Sequence, residues 1–141
     1  MKVCPDTTCW IARLIDTDRW RASYEGERGR VEFLLTSVVL QELWMGAGTL
    51  DRRAYAERIY DAARRHRRFL NPPAVAWILS GQALQILTRR RQFGAARLRA
   101  LRNDVLLAAT AYLYGAAVMT HDAADFAAIA EVLPVRVVGP P

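Results

Sequence analysis

Four acids border stretches that should be buried: Asp6 after Val3-Cys4-Pro5, Glu42 within Val38 to Met45, Asp104 ahead of Val105 to Ala111, and Asp122 after Ala116 to Met119. Carboxylates held beside apolar runs repel one another, and several can share a small space only when a cation offsets the repulsion. Convergence of these four would therefore imply a bound divalent ion, and an all-oxygen donor set suits Mg²⁺ or Mn²⁺ far better than zinc. Asp104 also has a plainer reading. Arg102 to Ala111 reads as the opening of a buried helix, and a first helical turn favours an acid whatever its function. Cys4 and Cys9 flank Asp6 but are too few for a disulfide framework or a zinc site, and they read as small buried hydrophobes.

The elements that must position these acids alternate in type. Val3-Cys4-Pro5 predicts a strand, with Pro5 last because it cannot donate to a ladder; Thr7 to Ala12 starts a helix. Residues 16–30 predict a short surface helix and a turn, and Val31 to Leu35 a second strand. Thr36-Ser37 caps a helix through Met45 that ends at Gly46 or Gly48. Asp51 is expected to cap an amphipathic helix running through Tyr55, Ile59, Tyr60 and Ala63. Phe69-Leu70 predicts a short strand, and Asn71-Pro72-Pro73 launches a helix expected to bury Val75, Ile78, Leu79, Ala83, Leu84, Ile86 and Leu87. Gly94 separates that helix from the Asp104 segment. Ala116 to Met119 predicts a buried strand, Ala123 to Ala130 a short helix, and Leu133 to Val138 a last strand. Strands alternating with helices indicate an α/β fold with a mainly parallel central sheet and helices on both faces. In such sheets, sites form beyond the carboxyl ends of the strands, which is where Asp6 and Asp122 fall.

The chain has 141 residues, 52% of them hydrophobic, which predicts one domain over 1–141 with a substantial core. No apolar run reaches the roughly 18 residues of a membrane span, and the N-terminus has no signal-peptide shape; a cytoplasmic protein without membrane contact is expected. The net charge is +6, and Lys2 is the only lysine. Such a balance suits a polyanionic partner. It also excludes a Walker A loop, which needs an internal Gly-Lys pair, and it disfavours aspartate-centred phosphotransfer folds that place a lysine beside their acids.

Taken together the residues resemble the PIN-domain nucleases, and within them the VapC-type toxins of toxin–antitoxin pairs, over essentially the whole chain. Asp6-Thr7 is similar to the family's aspartate-threonine after the first strand. Ser37, Glu42-Leu43 and Gly46 resemble its Ser/Thr-led helix with an internal Glu-Leu and a later glycine. Asp104 with Leu107-Ala108-Ala109-Thr110-Ala111 resembles its third acidic motif, and Thr120-His121-Asp122-Ala123-Ala124-Asp125-Phe126 its last. Thr8 departs from the family's frequent Asn or Ser, and Pro5 from a more usual aliphatic residue. The resemblance implies a three-layer PIN-like domain that hydrolyses RNA phosphodiester bonds with Mg²⁺ or Mn²⁺. On that basis Asp6, Glu42, Asp104 and Asp122 are the expected catalytic set. Asp6 and Asp104 are direct metal ligands, Asp122 a ligand directly or through water, and Glu42 a ligand through water or the orienter of the nucleophile.

Thr7 and Thr120 are expected to support the acids by hydrogen bonds, although a local backbone bond is an equal reading for a threonine in a turn. Asp125 is either a supporting acid or the N-terminal charge of the last helix, and Asp122 ranks above it as ligand. Arg89, Arg90, Arg91, Arg97, Arg99 and Arg102 lead up to Asp104 and are expected to bind RNA, because a phosphate backbone approaching an acidic site needs flanking positive charge. The plainer reading is solvated helix ends. The resemblance further implies a homodimer and a VapB-like antitoxin that covers the early helices, where Trp44 and Met45 suit the contact. Two alternatives stand beside the toxin: a PIN nuclease that processes RNA without an antitoxin, and a non-catalytic RNA- or protein-binding PIN module.

Overall fold

The structure, a computed structural model, describes residues 1–18 and 31–140. The expected helix and turn over 16–30 fall mostly outside the described residues. The first strand, β1 (Lys2–Pro5), leads into α1 (Thr7–Ile15), and two short strands follow, β2 (Glu32–Phe33) and β3 (Leu35–Thr36). Next come α2 (Ser37–Met45), α3 (Leu50–Arg65), β4 (Phe69–Leu70), α4 (Ala74–Arg91) and α5 (Ala95–Leu113). The chain closes with β5 (Ala117–Met119), α6 (Ala123–Ala130) and β6 (Val137–Val138).

The main sheet has the order β2-β1-β5-β6, and every pairing in it is parallel. The expected strand over Val31 to Leu35 changes partner midway: Leu34 N–H donates to the Val3 carbonyl at 2.8 Å, whereas Leu35 N–H donates to that of Arg68 at 2.9 Å. Beyond that switch, β3 pairs with β4 in a separate two-stranded sheet. The last strand is shorter than expected because Pro134, which cannot donate, sits in its first half.

Alternate residues of the two central strands face opposite sides, as the period of two requires. Cys4 and Val118 belong to a large core with α2, α3, α4 and α5, while Val3, Ala117 and Met119 join Cys9 of α1 in a smaller one. The sheet is thus covered by helices on both faces in a layered α/β arrangement. Both cysteines are free and fully buried, and burial pushes the Cys4 thiol up to about 12 and raises that of Cys9 as well. Burial of this kind keeps both as thiols and disfavours the reactive thiolate.

Three further features differ from the sequence reading. Thr49, not Asp51, caps α3, its hydroxyl accepting from Arg52 N–H; Asp51 lies in the first turn. The buried stripe of α4 is Ala76, Ser80, Ala83 and Leu87, while Val75 and Ile78, expected inside, are more than half exposed. The largest correction concerns α5. It starts at Ala95 with Gly94 as its N-cap, so Asp104 stands ten residues in and the N-terminal charge preference cannot account for it.

Candidate active site

Asp6 follows Pro5 directly, and its N–H donates to the Met119 carbonyl at 2.8 Å, which fixes it beyond the carboxyl end of β1 beside β5. Its side chain does two jobs. Oδ1 accepts from Cys9 N–H and from the Thr8 hydroxyl, both at 2.8 Å, capping α1, and Oδ2 accepts from the Thr120 hydroxyl at 2.6 Å. Thr120 is the residue just past β5, so two adjacent parallel strands present an acid and a hydroxyl at the same edge. The Thr120 oxygen in turn accepts from Asp122 N–H at 2.8 Å, and Asp122 caps α6 through a bond from Asp125 N–H at 3.2 Å. Asp6 and Thr120 are buried, and Asp122 is exposed.

Glu42 reaches the same edge from mid-α2. Its Oε2 accepts from the Thr7 hydroxyl, and its Oε1 accepts from Asn103 Nδ2 at 2.7 Å. Asp104, the neighbour of Asn103 on α5, makes no side-chain hydrogen bond among the described residues and is only partly accessible. Burial, then the charges of Glu42, Asp6, Asp125 and Asp122 in that order, push its carboxyl up to about 7. A carboxyl moved that far by desolvation and like charges is a mark of functional sites.

The structure therefore brings Asp6, Glu42, Asp104, Asp122 and Asp125 into one neighbourhood with Thr7 and Thr120. As the side chains stand, no three His, Cys, Asp or Glu groups among the described residues are gathered to hold an ion. The oxygens of Asp6 and Glu42 are turned toward neutral donors, and the acids border a common space without closing on it. Five carboxylates with no lysine nearby nonetheless form a donor set that fits a hard divalent cation.

The arginines divide. Arg97 lies two helical turns before Asp104 on the same face of α5 and pairs with Asp125, its guanidinium also resting 5.6 Å from the Phe93 ring centre. Arg91 pairs with Glu131 across to the end of α6. Arg89, Arg90, Arg99 and Arg102 are exposed. Two participants escaped the sequence reading. Asn103 carried no signal beyond its place beside Asp104, and Thr8 looked like a departure although its hydroxyl holds Asp6. A cavity of about 460 Å³ lies elsewhere, between α1, α3 and β2, lined by Trp10, Arg13, Tyr55 and Arg58 among others. None of its described lining residues is an acid, and the clustered carboxylates lie at the strand edge instead.

A family profile described as the PIN domain matches residues 3–132. No curated relative matches the chain in sequence. Among solved structures, the chain is similar to VapBC2 from Rickettsia felis bound to a DNA fragment from its promoter, with a TM-score of 0.70, 16% identity and all of both chains covered. It is similar to VapBC-1 from nontypeable Haemophilus influenzae at a TM-score of 0.71 and 18% identity, covering 99% of this chain and 98% of that one. DNA-bound VapBC from Salmonella typhimurium gives 0.70 and 20% over the same shares. At these identities the structural likeness speaks for the fold, and the profile, spanning nearly the whole chain, speaks for the family. With the motif acids gathered at one sheet edge and the profile running across them, the chain belongs to the PIN domain family.

Proposed function

We propose that this protein is a Mg²⁺- or Mn²⁺-dependent endoribonuclease, the toxin of a toxin–antitoxin pair. The observation that carries the reading is Asp104: mid-helix, largely buried, without a side-chain hydrogen bond among the described residues, and raised to about 7 by burial and four neighbouring carboxylates. A fold does not retain such an arrangement for stability, because each carboxylate adds repulsion to the others. Asp6, Asp104 and Asp122 would hold the ion, with Glu42 acting through water. When bound, the ion supplies a more acidic water and offsets the charge of the phosphodiester.

The chain's own residues do the rest. Thr8, Thr120 and Cys9 N–H fix Asp6, while Thr7 and Asn103 fix Glu42, so the acids keep their rotamers. Exposed Arg89, Arg90, Arg99 and Arg102 attract the RNA backbone, and Arg97 and Arg91 join them when substrate competes for their acidic partners. Hydrolysis leaves the phosphate on one fragment and a hydroxyl on the other.

The solved neighbours are VapBC and FitAB assemblies, one bound to a fragment of its promoter and others bound to DNA, which supports a VapB-like antitoxin as partner. A second feature supports it: an apolar recess of about 100 Å³ walled by Ile11, Leu14, Ile15 and Leu43 runs up to Glu42. Trp44 and Met45 are exposed beside it on α2. A segment seated there would reach Glu42. A homodimer and a cytoplasmic setting complete the reading. The test is RNA cleavage by purified protein with Mn²⁺, alongside Asp104→Asn. Metal-dependent cleavage that falls by two or more orders of magnitude in the variant, with the fold intact, is expected; cleavage unaffected by EDTA or by Asp104→Asn would overturn the assignment.

A further inference from the structure

We infer that Asn103 is a positioning residue for Glu42, holding its carboxylate in one orientation through a donor that carries no charge of its own. The inference rests on the nuclease reading and adds to it a residue that belongs to none of the four acidic motifs. Both oxygens of Glu42 are claimed, each by a side chain from a different helix: Oε2 by Thr7 of α1, and Oε1 by Asn103 Nδ2 of α5 at 2.7 Å. Sixty-one positions separate Asn103 from Glu42 and thirty-five separate Thr7 from it, so the carboxylate is where three helices meet.

The type of donor matters. An arginine or lysine in place of Asn103 would orient Glu42 but cancel its charge, and would compete with a cation. A threonine hydroxyl and a carboxamide orient it without doing so. Asn103 is also rigidly placed, one residue before Asp104 and two after the fully buried Leu101, on a helix packed into the core. The carboxamide therefore sets the direction of Glu42 relative to Asp104 through a single helical backbone. Partners of this kind typically govern metal affinity or activity by roughly ten- to a hundredfold.

The test uses full-length protein with four variants: Asn103→Leu, which keeps size and loses the donor; Asn103→Gln, which restores a carboxamide; Glu42→Gln; and Glu42→Gln with Asn103→Leu. Mn²⁺ affinity is read by calorimetry with the metal alone, and RNA cleavage by initial rates. Asn103→Leu is expected to weaken Mn²⁺ binding and lower kcat by about tenfold or more, with KM for RNA little changed and melting in EDTA close to that of the parent. Asn103→Gln should recover part of the loss. In the Glu42→Gln background, Asn103→Leu should add almost nothing to the loss of Mn²⁺ affinity, because its effect passes through Glu42. Full additivity, or unchanged Mn²⁺ affinity and kcat in Asn103→Leu, would overturn the positioning role while leaving the nuclease assignment standing. A parent protein that neither binds Mn²⁺ nor cleaves RNA would overturn both.

Discussion

Asp104 gives the site a pH dependence whose sign follows from its surroundings. Its carboxyl is raised from 3.8 to about 7 by burial and by Glu42, Asp6, Asp125 and Asp122, so between those values the folded protein holds a proton that the unfolded chain has released. Stability from this group is fully present below about 4 and is lost as pH rises through about 7, by a few kcal/mol at most. Asp104→Asn removes the ionisation. In EDTA the variant should melt close to the parent at about pH 4.5 and several degrees higher at about pH 8; a melting difference that does not grow with pH would show that the repulsion is not felt. Mn²⁺ affinity should fall below about pH 7 as protons compete for the same oxygens. The four acids were legible in the sequence because carboxylates beside apolar runs are costly unless they serve something. Asn103 was not legible, since an asparagine shows its purpose only when the partner, here on another helix, is in place.

At the scale of elements, the sequence misjudged the helices that are apolar all round. Residues 75–79 of α4 read Val-Ala-Trp-Ile-Leu, so periodicity cannot choose a face, and only packing selects Ala76, Ser80, Ala83 and Leu87. Leu87→Ala should therefore cost about 2–5 kcal/mol, and Ile78→Ala less than about 0.5 kcal/mol, measured by urea unfolding; similar costs would mean that α4 packs on another face. The start of α5 was missed for a different reason. Its first turns carry Arg97, Arg99 and Arg102 and look like a charged linker, yet Ala, Leu and Arg are among the strongest helix formers, and the helix propagates back to Gly94. The short strands β3 and β4 depend on a change of partner at Leu34–Leu35 that no local pattern announces. By contrast α6 lies where the sequence placed it, because Asp122 caps its N-terminus and a short apolar run fills it.

For the molecule as a whole, a charge of +6 coexists with a concentration of acid at one sheet edge. On the proposed nuclease reading, attraction of RNA would be the work of the exposed arginines that pair with no acid among the described residues, and its salt dependence would count them. Replacing Arg99 and Arg102 together by Ala should weaken RNA binding across sequences and flatten the log–log salt slope by about 0.7 for each phosphate of a single strand that is no longer neutralised. An unchanged slope would reduce them to solvated helix ends. The overall layering was legible from the alternation of strands and helices, while the strand order was not, because β1 pairs with β5, which lies more than a hundred positions later. That pairing also times when the site comes into being during synthesis. Asp6, Glu42 and Asp104 all leave the ribosome before β5 does, but Asp6 is fixed by Met119 and Thr120, 113 and 114 positions further on. Until that stretch emerges, β1 lacks its central neighbour and Asp6 lacks the partners that fix it, so on the proposed nuclease reading a nascent chain that already carries three of the four motifs would be inactive. On that reading competence would arrive only with β5, after α1 and α2, which carry the surface proposed for a partner, have been made.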